Sequence, residues 1–450
     1  MRKSILMACL TLGLTGALPV SAEDLLQIYD RAAQSDAVLK QAEQDLLAIK
    51  ETKPQALALL LPDFSISGSG QYQSTNAFNA GVGGSDIKDS YSSGTAQAVV
   101  KQTVYNRGQW ISLERTDDVI SQAEAQYKTS QIDLMARTTK AYFAVLQAAD
   151  AVRVSEALMR ANERQLEQSR QRFDVGLVAI TDVNESQAAY DSARADVITN
   201  KNLLDNAWES LRVIIGTIDV PLARLGDNLP LTKPEPNDIN AWTKVALENN
   251  YEIQAASQAV AAAKKEIEIQ RSGHYPTLGL QAGYQMQGSG SEVLGGYDGN
   301  STYVGLSLMV PIYQGGAVTS RTRQAGYKLG SSQEQLDQVR RKIQKNVTDA
   351  FRGVLSSISE VEARKTALVS ANSSFESTQA GLEVGTRTQV DVLTEQRKLY
   401  AAEYQYLYAR YQYIIKGVEL FQATGGLNRE VLERGNTWLN TADTLPPPSY

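Results

Sequence analysis

Few residues in this chain could do chemistry. His274 is the only histidine, and the only cysteine, Cys9, falls within the first ten residues. With one imidazole, no nucleophile–His–carboxylate relay or His-containing metal cluster can be assembled. The glycine-rich segments flank strand patterns rather than opening helices, so no phosphate cradle is expected. No catalytic, cofactor-binding or metal-ligating residue is assigned. The remaining candidates crowd into two short stretches, Val175-Gly176-Leu177-Val178-Ala179-Ile180-Thr181-Asp182-Val183 and, 209 positions later, Val384-Gly385-Thr386-Arg387-Thr388-Gln389-Val390-Asp391-Val392. Thr181, Asp182, Thr388 and Asp391 could each accept the free N–H groups at a helix start, and Asp182 with Glu185 fits a capping box. Gly176 and Gly385 suit the left-handed turn that ends a helix. A carboxylate repeated around an axis would do something else: it would attract cations and raise the pKa of its copies.

The elements that position these residues are long helices. Prolines occur at 54, 62, 221, 230, 234, 236, 276, 311 and 446–448 beyond the N-terminal segment, so 63–220 and 312–445 are proline-free. An interior proline costs a helix about 3 kcal/mol, and such tracts suit uninterrupted helices. Gln109–Val175 lacks both Gly and Pro and would reach roughly 100 Å as a helix. Met135, Thr138, Tyr142, Val145, Ala149, Val152, Met159, Leu166 and Phe173 form a heptad seam along it, implying left-handed supercoiling against neighbours. Each candidate stretch therefore reads as the tip of a helical hairpin. Tyr400, Tyr404, Tyr406, Tyr408, Tyr411 and Tyr413 crowd the last long helix and read as packing.

The N-terminus reads as a secretory signal peptide over 1–22, with Arg2 and Lys3, a short apolar run and small residues before Glu23. Its removal takes away two basic residues and moves the net charge from −6 to −8. That balance disfavours nucleic acid as a partner. The mature chain has no thiol.

Repeat 1 is expected over 23–220. It has a helix from Glu23 to about Lys53 that Pro54 kinks or ends, a β-hairpin over about 64–105, and a long helical hairpin. Phe64, Ile66, Gly68, Gly70 and Tyr72 alternate with Ser and Gln, and Gly94, Ala96, Ala98, Val100 and Val104 line a second strand, with a loop between them over Asn76–Asp89. A linker follows at 221–240. Repeat 2, 241–426, restates the plan with a β-hairpin over about 278–313: Leu278, Leu280, Ala282, Tyr284 and Met286, then Val304, Leu306, Leu308, Val310 and Ile312. Residues 427–450 read as a poorly ordered C-terminal tail.

Four strands with one apolar and one polar face need lipid on one side and water on the other. Their expected length, about 10–13 residues, is close to that of a tilted membrane strand. Four strands cannot close a barrel, and an open edge in hydrocarbon leaves backbone groups unpaired. Several chains must then share one barrel. The fold class expected is an α+β membrane protein in which β-strands are continued by long α-helices. The strands are split between two repeats rather than contiguous at the C-terminus, which argues against the alternative of a trimeric surface adhesin or autotransporter.

These features together resemble the TolC family of outer-membrane efflux and export channels, over nearly the whole mature chain. The resemblance is carried by Gly176–Val183, by Val384–Thr388 with Val390-Asp391-Val392-Leu393, by Tyr275-Pro276-Thr277-Leu278, and by Val310-Pro311-Ile312-Tyr313-Gln314-Gly315-Gly316. It implies a homotrimer with a twelve-stranded β-barrel in the outer membrane and an α-helical tunnel in the periplasm. Such a channel is passive, not an enzyme, and needs no cofactor. It receives small molecules or polypeptides from an inner-membrane transporter through a periplasmic adaptor. The resemblance also implies that Thr181, Asp182 and Arg387 form a periplasmic gate or lock, and that Asp391 forms a selectivity ring. It makes Gly176, Leu177, Val178, Gly385 and Thr386 hairpin-tip and adaptor-contact residues. Leu382 stands where the family lock often has Tyr, and Thr394 where some members carry a second aspartate. The ring would then be a single carboxylate layer unless Glu395 turns inward.

Overall fold

Proline-free sequence becomes uninterrupted helix, and the period-two segments become strands. The structure, a computed structural model, describes residues 23–79, 85–217, 220–291 and 296–448. The signal peptide expected at 1–22 lies outside them. The elements of the first half are α1 (Leu25–Ser35), α2 (Ala37–Lys50), α3 (Thr52–Ala58), β1 (Asp63–Asn79), β2 (Ser85–Tyr105), α4 (Arg107–Asp174), α5 (Ile180–Ile215) and β3 (Leu222–Leu225). Those of the second are α6 (Ile239–Asn249), α7 (Tyr251–Arg271), β4 (Thr277–Ser289), β5 (Tyr297–Met309), α8 (Ala317–Glu383), α9 (Gln389–Thr424), α10 (Arg429–Asn436) and β6 (Leu439–Leu445). The chain forms two compact units. One gathers the chain up to Lys40, Ser130–Glu248 and Ile343 onward; the other gathers Gln41–Thr129 and Asn249–Lys342.

The second unit holds an antiparallel sheet of order β1-β2-β4-β5. Its register lines up Phe64, Val100, Ala282 and Val304 in one row, and Ile66, Ala98, Tyr284 and Thr302 in the next. Ser67, Gln97, Gln285 and Ser301 form a row on the other face, as do Asp63, Lys101, Gln281 and Gly305. The apolar face is left uncovered: Phe64 is 64% exposed and Val304 74%. β1 and β5 are the two edges of this sheet. Among the described residues no helix is long and apolar enough to cross a membrane.

Two expectations for the strands need correction. Asn76–Asp89, expected as a loop, is ladder over most of its described part, with Asn76 opposite Lys88 and Asn79 opposite Ser85. β1 and β2 accordingly run to 17 and 21 residues. Backbone hydrogen bonds do not depend on side-chain hydropathy, so polar residues extend a hairpin that apolar ones have registered. Val310 and Ile312, expected in the fourth strand, lie beyond β5; Pro311 has no N–H to give a ladder.

The helix expected over Glu23–Lys53 has an additional break at Asp36, and it breaks again at Glu51, three residues before Pro54, which sits in the first turn of α3 where its missing N–H is tolerated. Asp36 ends α1, and its Oδ1 accepts the Leu39 N–H at 2.7 Å, capping α2. Its guanidinium partner Arg137 lies 3.1 Å away. In the second half Asn250 stands at the same point, between α6 and α7, accepting the Glu252 N–H at 2.9 Å.

The first unit contains the largest correction. The tail at 427–450 is not poorly ordered as far as it is described: α10 and β6 are formed, and β6 pairs with β3 inside the expected linker 221–240. Arg429 bonds both oxygens of Asp30 at 2.6 and 3.0 Å, and Asn436 accepts the Leu25 N–H and donates to Asp24. Glu23 adds a bridge to Leu222. Residues 24–30 and 429–436 are thus fastened to each other, which no local signal announces. The core of this unit is Ile28, Tyr142, Phe143, Leu146, Trp208, Leu211 and Leu420, all buried. It draws on more of α4 than the heptad seam alone.

Candidate functional site

The two hairpin tips are built alike down to their hydrogen bonds. α4 ends at Gly176 (φ 74°), with the Gly176 N–H donating to Phe173 O and the Leu177 N–H to Arg172 O. α8 ends at Gly385 (φ 78°), with the Gly385 N–H donating to Leu382 O and the Thr386 N–H to Gly381 O. Both are Schellman turns, in which a left-handed residue lets two N–H groups reach back to the last carbonyls. The two turns leave Val175, Leu177 and Val384 about 70% exposed or more, while Val178 is half-buried.

The returning helices differ. At α9, Thr388 is the N-cap. Its hydroxyl accepts the Asp391 N–H at 3.2 Å, and Asp391 Oδ2 accepts the Thr388 N–H and hydroxyl at 2.9 Å each. Those two donors, with the charge of Arg387, hold the Asp391 carboxyl below the usual carboxylate range. At α5 the N-cap is Ala179, without a side-chain bond; Thr181 is exposed and Asp182 lies in the first turn. The capping box expected of Asp182 with Glu185 is therefore not formed, because the helix begins two residues before Asp182. Glu395 does not stand free: Lys398 and the Ser374 hydroxyl hold its two oxygens at 2.7 and 2.9 Å.

Asp182 and Arg387 are brought to one cleft of about 210 Å³, together with Val178, Arg172, Leu382 and Gln389. Within the chain they form no ion pair. Arg387 reaches this place because Gly381 lies beneath it: a Cβ there would stand 2.6 Å from Arg387 Cγ.

Sequence reasoning missed what joins the hairpins. Ser155, Asn162 and Ser169 recur every seven residues beside the apolar seam, and all three are buried. Asn162 Nδ2 donates to Ala189 O on α5 at 2.9 Å, and Asn162 Oδ1 accepts from Gln396 Nε2 on α9 at 2.8 Å. Ser169 and Ser186 share a hydrogen bond at 3.0 Å, and Gln389 Nε2 reaches Ser186 at 3.4 Å. This polar seam fastens the second hairpin to the first. The only signal in the sequence was a heptad of small polar residues, which also describes a solvated face.

This duplicated architecture can be set beside known proteins. The family model described as outer membrane efflux protein matches residues 28–217 and again 242–426, once for each repeat. The outer membrane protein TolC of Escherichia coli (strain K12) is 36% identical over 461 residues, covering 99% of this chain and 91% of that protein. The proteases secretion protein PrtF of Dickeya chrysanthemi is 25% identical, covering 99% and 97%. The crystal structure of the Campylobacter jejuni CmeC outer membrane channel covers 98% of this chain and 99% of its own at a TM-score of 0.75 and 14% identity, a likeness of fold. With a twofold family match over most of its length and a relative above one-third identity end to end, the chain belongs to the outer membrane efflux protein family.

Proposed function

We propose that three copies of this chain complete a twelve-stranded barrel in the outer membrane and enclose a passive exit duct whose helical part lies in the periplasm. The observation that carries this reading is the four-stranded sheet with an uncovered apolar face and two unpaired edges. In hydrocarbon those edges must be paired, and sister chains supply strands of the same kind. Cargo enters at the hairpin tips, where Gly176, Leu177, Val178, Gly385 and Thr386 meet a periplasmic adaptor that links the duct to an inner-membrane transporter. The exposed Leu177 and Val384 give such a partner apolar ground. The match to the outer membrane efflux protein model and the likeness to a proteases secretion protein support export of small molecules, polypeptides or both.

The tips act as the gate. Arg387 of one chain pairs with Thr181 and Asp182 of the next, since within one chain Arg387 and Asp182 share a cleft without meeting. Asp391, ionised and half-buried, forms the ring that selects cations. The polar seam of Asn162, Gln396, Ser186 and Gln389 holds the second hairpin inward within each chain. Conductance of the purified protein in a planar lipid bilayer tests this: wild type conducts weakly, Arg387→Ser raises the current and Asp391→Ala weakens cation preference. An unchanged current in both variants overturns the gate assignment while leaving the duct itself standing.

A further inference from the structure

A cavity of about 360 Å³ lies within the first unit, between α9, α10, α6 and the segment around Thr232–Glu235, away from the hairpin tips. Its size falls in the range that holds small organic molecules. Its walls are mostly apolar, with the rings of Trp242, Phe421 and Trp438 among them. They are also preformed. Trp242 packs edge-on against Phe421 at 5.6 Å, and its indole N–H already donates to Pro236 O at 2.8 Å. The Tyr413 hydroxyl is spent on the Thr232 backbone.

The unspent polar groups are charges. Lys233, Arg434 and Glu235 line the cavity and are exposed, and none has an ion-pair partner among the described residues. The guanidinium of Arg434 is held over the ring of Phe421, another lining residue, at 5.5 Å. Two cations against one carboxylate leave this rim net positive on a chain whose net charge is negative.

A glycine makes the room. Gly417 lies in the interior of α9, where glycine is disfavoured, yet a Cβ added to it would meet nothing within 4 Å. At Gly353, by contrast, an added Cβ would stand 3.1 Å from Cδ of Lys416. No neighbour therefore requires glycine at 417; what occupies the place of its side chain is the cavity.

We propose that this cavity binds a small amphiphilic organic anion, its apolar body against Trp242, Phe421 and Trp438 and its single carboxylate, sulfonate or sulfate head at Lys233 and Arg434. The site is independent of the gate and of the export reading.

The test uses the mature full-length protein in lipid nanodiscs free of detergent, with empty nanodiscs as the baseline. The probe is 1-anilinonaphthalene-8-sulfonate, read by energy transfer from tryptophan. The neutral N-phenyl-1-naphthylamine, the same ring system without the sulfonate, is the control. Saturable binding of one sulfonate per chain is expected, with Trp242→Phe reducing the transfer. Gly417→Leu, which puts a branched side chain into the cavity, should weaken sulfonate binding about ten-fold or more. The double variant Lys233→Gln, Arg434→Gln changes only exposed side chains, so it keeps the test alive if Gly417→Leu fails to assemble. It should weaken the sulfonate about ten-fold and leave the neutral probe within about two-fold. Absence of saturable binding, as when a neighbouring copy fills the cavity, overturns the proposal. So does equal affinity for the two probes, or a double variant that binds as wild type does.

Discussion

Gln396 on α9 and Asn162 on α4, 234 residues apart in sequence, meet in a buried hydrogen bond of 2.8 Å, and the same Asn162 reaches across to Ala189 O on α5. One amide side chain thereby holds three helices at once. A buried amide that loses its partner keeps the desolvation penalty without the bond. This is why a seam of this kind can latch a hairpin at small net stability.

The seam yields the first prediction. Gln396→Ala leaves Asn162 Oδ1 without its donor and should cost about 1–3 kcal/mol per chain. Gln396→Leu with Asn162→Leu, which removes both partners, should cost less. If the seam latches the second hairpin, Gln396→Ala also raises bilayer conductance. Chemical denaturation and single-channel recording of the same preparations check the two effects separately.

A second prediction concerns Gly381. Its missing Cβ is what lets the stem of Arg387 lie over the last turn of α8. Gly381→Val should push Arg387 off its perch and raise conductance in the same direction as Arg387→Ser. Combining the two should add little beyond either alone. Additive effects would show that Gly381 acts through something other than Arg387.

Asp391 has two roles open to it, cap and charge ring, and substitution separates them. Asp391→Asn can still accept from Thr388 but carries no charge, so it should lose cation preference and keep assembly. Thr388→Ala should keep the preference and lose about 0.5–2 kcal/mol of stability. The sign with pH follows from a folded-state pKa below the ordinary 3.8. The carboxylate's capping contribution is complete above 3.8 and is lost as pH falls through the lower folded value. Ion selectivity measured from reversal potentials should therefore hold through mild acid and fail below the usual carboxylate range. A midpoint above that range would mean that mutual repulsion among the ring carboxylates outweighs the two Thr388 donors.

Asp36 gives a fourth. Burial pushes its carboxyl up, but the Arg137 hydrogen bond and the Leu39 N–H outweigh burial, and the net shift is downward. Its contribution is present above the ordinary 3.8 and lost as pH falls through the depressed folded value. Arg137→Gln should leave Asp36 more easily protonated and move the acid limb of the unfolding curve to higher pH. Arg429→Gln should shift it in the same direction through Asp30, whose carboxyl the Arg429 hydrogen bond lowers. Thermal melts across a pH series check both.

The sheet faces supply a fifth. Val304→Arg places a charge on the apolar row with Phe64, Val100 and Ala282 and should cost about 2–4 kcal/mol if that row lies near mid-bilayer. Ser301→Arg, on the opposite face, should assemble normally and alter conductance instead. Equal tolerance of the two in membrane-assembly assays would mean that the apolar face does not meet lipid.

The chain's own sequence determined whatever is written in a local period. Alternation of two marked the four strands and told the apolar face from the polar one. The heptad on α4 and the absence of proline marked the long helices, and the spacing of Gly176 and Gly385 marked two equivalent tips. These signals are readable because a strand or helix imposes its period on nearby residues alone. Only the tertiary structure decided which polar residues matter at the tips. Thr388 caps and Asp182 does not, because that depends on where each helix starts to within two residues. Asn162 and Ser169 are latches rather than solvated surface because α9 happens to cover them. The described part of the tail is folded in because Arg429 finds Asp30 some 399 positions away. Contacts closed over hundreds of residues leave no periodic trace in the segments that make them, so their partners emerge only once the chain has folded.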